Sequence, residues 1–268
     1  MEDQALIVPL EEASREPFSL VLSYPQSNPF EIEHKIQQLK NLKVGHLVFG
    51  GNLAIDKIHL LGKGVSGLVV AGIVKGERVA LKIRRVDSRR GSMEHEASML
   101  KLANSVEVGP KYLGNTPDIL AMELVEGDRL PAWLSALKGR GRRSRVRHVV
   151  KELLDQCLRL DRCGLDHGEL SRAHKNILVP GDFGPYILDF ESASTNRRSS
   201  NLTSLVQYFF LGGVFSRKIQ RVLGPTDRKD LLEEMRIYKS GEVQQAYDRT
   251  KRLLKLDIAE RSKQSRSC

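Results

Sequence analysis

The chain has 268 residues, 30.1 kDa and 40% hydrophobic residues, enough for two packed lobes with ordinary cores. Cys157, Cys163 and Cys268 are too few and too unpatterned for a disulfide framework or a zinc site, and with no N-terminal signal the expected compartment is a reducing cytoplasm. Lys and Arg number 43 against 33 Asp and Glu, a formal net charge of +10, and the longest apolar run, near Leu205 to Phe215, falls far short of the ~20 residues a membrane span needs and reads instead as a core helix of the larger lobe.

In chain order, residues 1–50 carry Pro9, Pro17, Pro25 and Pro29 and then a helical stretch near Phe30 to Leu42, which reads as an extension packed on a small lobe. That lobe is expected over residues 51–126, mainly antiparallel with one helix. Its central feature is Gly62-Lys63-Gly64-Val65-Ser66-Gly67, with Lys82 fifteen residues later within Val79-Ala80-Leu81-Lys82-Ile83. Three glycines at this spacing also mark dinucleotide-binding domains, where a helix comes next, and Asp87 lies where the ribose acid of such a domain would sit. Here the glycines lead instead into Leu68-Val69-Val70-Ala71-Gly72-Ile73-Val74 and a Lys75-Gly76-Glu77 turn, a strand and hairpin composition. Strand, glycine loop, strand, turn, strand is the order of a kinase nucleotide lid, with Gly62, Gly64 and Gly67 over the phosphates of ATP and Lys82 among them.

Glu94 to Ala103 has helix formers throughout and apolar residues at Met99, Leu102 and Ala103. A phosphate-holding lysine needs a carboxylate to fix its ammonium. Glu96 is the candidate partner of Lys82, and Glu94 is its rival. Asp118 to Gly127 reads as a buried strand running into a turn.

Residues 127–268 predict a helical large lobe with a polar, basic tail after Asp257. Leu165-Asp166-His167-Gly168-Glu169-Leu170-Ser171-Arg172-Ala173-His174-Lys175-Asn176 resembles the H-x-D-x-x-x-x-N loop of kinases with two departures. The expected aspartate is Glu169, whose carboxylate sits further out by one methylene, on the order of 1.5 Å. The asparagine comes seven residues after the acid, and His174 occupies its usual place. Asp189 lies thirteen residues beyond Asn176, a hairpin spacing that brings two oxygen ligands together. Asn176 and Asp189 are therefore assigned to Mg²⁺, with His174 as the alternative. Arg172 and Lys175 are candidates to balance charge on the transferring phosphate. Glu191 stands where kinases carry glycine, which disfavours a flip of Phe190 and offers either a further carboxylate to the metal or a cap to the next turn.

Asp189-Phe190-Glu191-Ser192-Ala193-Ser194 and His167-Gly168-Glu169-Leu170-Ser171-Arg172 together resemble a group of short archaeal predicted serine/threonine kinases. These are related to RIO kinases and to the kinase-like subunit of the KEOPS tRNA-modification complex. The resemblance covers roughly residues 55–215. It implies an α+β, bilobal protein-kinase-like fold, and within it Asp118 to Gly127 would be the kinase hinge. Met122 would then guard the adenine pocket, and backbone groups of Glu123 and Val125 would bond the adenine edge. The A-P-E motif of typical protein kinases is absent, leaving Ser192 to Ser200 as a short activation segment.

Lys138 to His148 concentrates positive charge and reads as a solvated loop, or as a contact for RNA or DNA phosphates or an acidic partner. Two function classes fit these features. The first is an ATP-dependent phosphotransferase acting on a Ser/Thr hydroxyl of a protein substrate, or on a metabolite, with Lys82 and Glu96 on the phosphates and Glu169 orienting the acceptor. The second is a nucleotide-binding pseudokinase or ATPase switch in an RNA-associated complex.

Overall fold

A computed structural model describes residues 5–181 and 184–257, so the basic tail expected after Asp257 lies outside the described residues. The protein is a mixed α+β structure with an antiparallel sheet and several helices. It divides into two compact units, Met1–Glu126 with Asp189–Glu191, and Gly127–Leu188 with Ser192–Cys268.

In the first unit, strands β1 (Leu6–Pro9), β2 (Val44–Phe49), β5 (Gly62–Lys63), β6 (Gly67–Val74), β7 (Glu77–Arg84), β8 (Tyr112–Asn115) and β9 (Ile119–Glu123) form one sheet, and β3 (Leu53–Ile55) pairs with β4 (Ile58–Leu60) separately. The order is β1-β2-β6-β7-β9-β8, with β5 paired to β6. Helices α1 (Leu20–Ser23), α2 (Pro29–Asn41) and α3 (Glu94–Asn104) complete the unit. Residues 5–49, read from the sequence as an extension, supply two strands of this sheet and the helix α2. Asn28 caps α2 by accepting a hydrogen bond from the Phe30 amide at 3.1 Å, with Pro29 pre-set for the first turn.

Strand alternation sorts the faces of β7. Val79, Leu81 and Ile83 enter an apolar core with Leu22, Leu39, Leu47 and Val70, while Lys82 points to the other face. Lys75 and Gly76, at φ 53° and 87°, close the β6–β7 hairpin with a turn whose twist matches its strands. Two buried polar ties hold α2 to the sheet. Lys35 Nζ donates to the Arg84 carbonyl at 2.8 Å. Gln38 donates to Asp118 Oδ2 at 2.6 Å and accepts from its amide at 2.9 Å.

The second unit has a small antiparallel sheet of β10 (Asp128–Arg129), β11 (Ile177–Val179) and β12 (Tyr186–Ile187). Its helices are α4 (Leu130–Ala136), α5 (Arg142–Arg162), α6 (Asn201–Val206), α7 (Gly213–Leu223), α8 (Arg228–Ser240) and α9 (Val243–Leu253). The segment 138–148, expected to be a loop, is helical from Arg142 onward. Val146, Val149, Val150, Leu153, Leu154 and Cys157 recur at helical spacing and bury that face of α5, and burial at about 1.5–3 kcal/mol per large apolar side chain outweighs repulsion among exposed arginines. The run from Leu205 to Phe215, expected to be one core helix, is broken as well. A π turn spans Gln207–Leu211, Gly212 is extended, and Gly213 at φ 82° starts α7. No described helix is long and apolar enough to cross a membrane.

Candidate functional site

The glycine loop is a tight turn between β5 and β6, closed by the Gly64 amide donating to the Gly67 carbonyl at 2.8 Å. A Cβ on Gly67 would lie 2.9 Å from the Ile83 carbonyl and 3.1 Å from Lys82 Cγ, so only glycine lets the loop approach the lysine strand this closely. Because a strand rather than a helix starts at Gly67, the dinucleotide reading lacks its structural context. Asp87 instead pairs with Arg85 at 2.6 Å on the surface.

Lys82 sits on β7 opposite Val69 and Leu120, with its side chain only 5% exposed. Its ammonium donates to Glu96 Oε1 at 2.8 Å, to Asp189 Oδ1 at 2.8 Å and to Glu191 Oε2 at 3.0 Å, one acceptor for each of its three protons. Glu96 reaches it from the first turn of α3, whereas Glu94 lies exposed at the start of that helix. Glu191 Oε2 also accepts from Ser66 Oγ of the glycine loop, so one carboxylate ties the loop to the lysine. Asp189 adopts φ 68°, a left-handed conformation that Asp tolerates better than most residues and that costs of order 1 kcal/mol or more. Phe190 is buried, with its ring 2.8 Å from where a Cβ on Gly109 would sit.

These contacts set the electrostatics. Burial alone would lower the Lys82 pKa, but the carboxylates of Glu96, Asp189 and Glu191 win and hold it well above the ordinary lysine value. Burial pushes Glu96 up to about 7, against the pull of Lys82, with Asp189 and Glu191 adding to the rise. The carboxylate oxygens of Glu96, Asp189 and Glu191 all lie within 4.8 Å of one another. Three hard oxygen donors around a single ammonium leave negative charge for a cation such as Mg²⁺ to neutralise.

In the second unit, Gly168-Glu169 leads into a 3-10 turn, Leu170–Lys175, and then to buried Asn176. Asn176 Nδ2 donates to Glu169 Oε2 at 3.2 Å, leaving its Oδ1 as the acceptor atom, and Ser192 Oγ donates to Glu169 Oε1 at 2.8 Å. The loop's backbone is pinned from behind. The Asn176 carbonyl accepts from the Leu188 amide at 2.8 Å, and fully buried His167 places Nε2 2.9 Å from the Leu188 carbonyl. Asp166 accepts from Arg197 Nε at 2.9 Å and exchanges backbone hydrogen bonds with Ser194.

The remaining candidates are more dispersed. Met122 and Glu123 end β9, facing Ala80 and Val79, and Val125 lies in the loop after it. The Glu123 amide donates to the Lys111 carbonyl at 2.8 Å, so this amide is already committed. Arg172 and Lys175 are exposed on the 3-10 turn, where the Lys175 carbonyl accepts from Arg129. The His174 ring stacks 6.2 Å from Tyr208. Sequence reasoning has no signal for Ser66 or Ser192 as partners of Glu191 and Glu169, because each contact spans a long separation.

No family model matches the chain. It is similar to the uncharacterized protein MJ1211 of Methanocaldococcus jannaschii, at 27% identity over 102 residues, covering 38% of this chain and 83% of that protein.

Proposed function

We propose that the protein is an ATP-dependent phosphotransferase, an atypical serine/threonine kinase with a bilobal protein-kinase-like fold of the minimal archaeal type related to RIO kinases and the KEOPS kinase subunit. In this reading the first unit is the nucleotide lobe and the second the catalytic lobe. The observation that carries it is Lys82, buried beside a glycine loop and held simultaneously by Glu96 of α3 and by Asp189 of the Asp-Phe-Glu motif. A lysine fixed in this way presents its charge to phosphate oxygens at one place instead of sampling many.

The donor set fits Mg²⁺. Within the first unit Asp189 would hold the ion, with Glu191 as an additional carboxylate, and the ion would neutralise charge on the phosphates of ATP. Lys82, kept charged by its three neighbours, would bind the phosphates. The glycine loop would cover them, with Ser66 and Glu191 fixing its position. Glu169 would orient the acceptor hydroxyl, for which Asn176 and Ser192 hold its carboxylate in place. Both oxygens of Glu169 being engaged also favours a second reading, a nucleotide-binding switch that does not transfer phosphate.

The two separate in an assay with γ-labelled ATP, Mg²⁺ and a protein acceptor, comparing wild type with Glu169→Gln and Asp189→Ala. Label that needs both carboxylates is the expected result. Phosphate release without labelling, or nucleotide binding with no turnover in wild type, would replace the kinase with the switch.

A further inference from the structure

The positive charge at 138–148 does not stop at the end of that segment. Residues 129–151 contain no Asp or Glu, and neither do residues 192–226, which include α7. The fold joins these two acid-free stretches, because Arg143 at the start of α5 donates to the carbonyl of Leu223, the last residue of α7, at 2.7 Å. Arg140, Arg142 and Arg145 on one side and Arg217, Lys218 and Arg221 on the other are all exposed. At 1.5 Å of rise per residue, Arg217 lies about 9 Å along α7 from the Leu223 junction.

Little inside the chain compensates this charge. The ion pairs of this unit, such as Lys151–Asp155, Arg159–Glu152, Arg197–Asp166 and Arg249–Glu234, engage other cations, one of them from each acid-free stretch. Among the described residues none of the six cations above has a carboxylate in ion-pair reach. The first turn of α5 holds no acidic residue and its cap has no side-chain hydrogen bond, so its arginines stand at the helix end where cations are disfavoured. Five of the six are arginine, the side chain whose planar fork matches a phosphate with two hydrogen bonds.

We propose that this face of α5 and α7 docks double-stranded nucleic acid through its phosphate backbone, without reading sequence. Two features select a duplex among polyanions. Among the described residues no Phe, Tyr or Trp of this unit is exposed, which leaves only the small imidazole rings of His148 and His174 where a single strand requires a stacking platform. Val214 is the only large hydrophobic exposed on these two helices, which leaves an acidic protein partner without the apolar anchors that centre protein interfaces. Contacts to phosphate alone would treat RNA and DNA duplexes nearly alike.

The test measures binding of the full-length protein, without ATP, to a fluorescent 20-base-pair RNA duplex and to the DNA duplex of the same sequence, by anisotropy across a salt series. Six phosphate contacts predict a log–log slope of about −5, a loss of roughly a thousandfold between 50 and 200 mM salt. The pair Arg217→Ala with Arg221→Ala removes two contacts and leaves Arg143 to hold the helices together. It should bring the slope to about −3.6 and the loss to roughly a hundredfold, with an unchanged melting temperature. The pair Arg140→Ala with Arg142→Ala should do the same. The proposal is overturned if neither duplex binds at 50 mM salt, if both pairs leave the slope untouched while neutralising Arg261, Lys263 and Arg266 lowers it, or if poly-glutamate binds as tightly as the duplexes.

Discussion

Replacing Glu191 by glutamine should leave the cation-free protein as stable as wild type, or more so, while weakening its response to Mg²⁺. Ionised, the cluster carries three carboxylates and one ammonium, a formal charge of −2. At an effective dielectric of about 20, the Lys82–Glu191 contact at 3.0 Å contributes roughly −5.5 kcal/mol. Repulsion of Glu191 by Glu96 and by Asp189, each within 4.8 Å, costs roughly 3.5 kcal/mol apiece. Asp189, 35% exposed, is partly screened, so attraction and repulsion cancel to within about 2 kcal/mol. Glutamine keeps an oxygen to accept from Ser66 and Lys82 and loses only the charge. Differential scanning calorimetry at pH 8, with and without 10 mM Mg²⁺, reads both effects. The expected result is a melting temperature equal to or above wild type without the cation and a reduced upward shift with it. A melting temperature lowered by several degrees with the Mg²⁺ shift intact would refute the reasoning, because Glu191 would then be a structural pin.

This cluster and other buried contacts set four further outcomes. Ionised Glu96 is one of the three carboxylates that fix Lys82, and its pKa is raised to about 7, so kcat/KM for ATP should climb with pH up to about 7 and level above it, and Glu96→Gln should lower and flatten the profile. For stability the sign is opposite: the folded chain keeps a proton that the unfolded chain loses near 4.5, so this group's contribution is fullest below that pH and is lost as pH rises through 7. Glu169→Asp, although it restores the residue usual in kinases, should lower turnover about a hundredfold by withdrawing the carboxylate from the position Asn176 and Ser192 define; equal or faster label transfer would contradict this. Gln38→Ala removes both buried bonds to Asp118 and should cost about 2–4 kcal/mol in chemical denaturation.

Legibility of the sequence tracks the range of the interactions. The β6–β7 hairpin is readable because alternation, the Lys75-Gly76 turn and the glycines are local signals that agree. The Lys82–Glu96 contact is readable for a related reason: a strand and the next helix, fourteen residues apart, leave few carboxylates in reach. Ser66–Glu191 and Gln38–Asp118 span 125 and 80 residues, and nothing in either local sequence marks the partner. The start of α5 is misread because an arginine run looks like a loop by charge, while the burial that makes it helical comes from Val146, Val149 and Val150 further along. The break at Gly212-Gly213 is signalled by its glycines, yet the apolar residues on both sides suggest continuity.

The central claim is that Lys82 and its carboxylates form a site for ATP with Mg²⁺, and isothermal titration of a non-hydrolysable ATP analogue tests it most directly. The account predicts saturable binding at one site that strengthens with Mg²⁺ and falls at least tenfold, about 1.4 kcal/mol or more, in Lys82→Met. No binding to the wild type, or binding that Lys82→Met leaves unchanged, would contradict it.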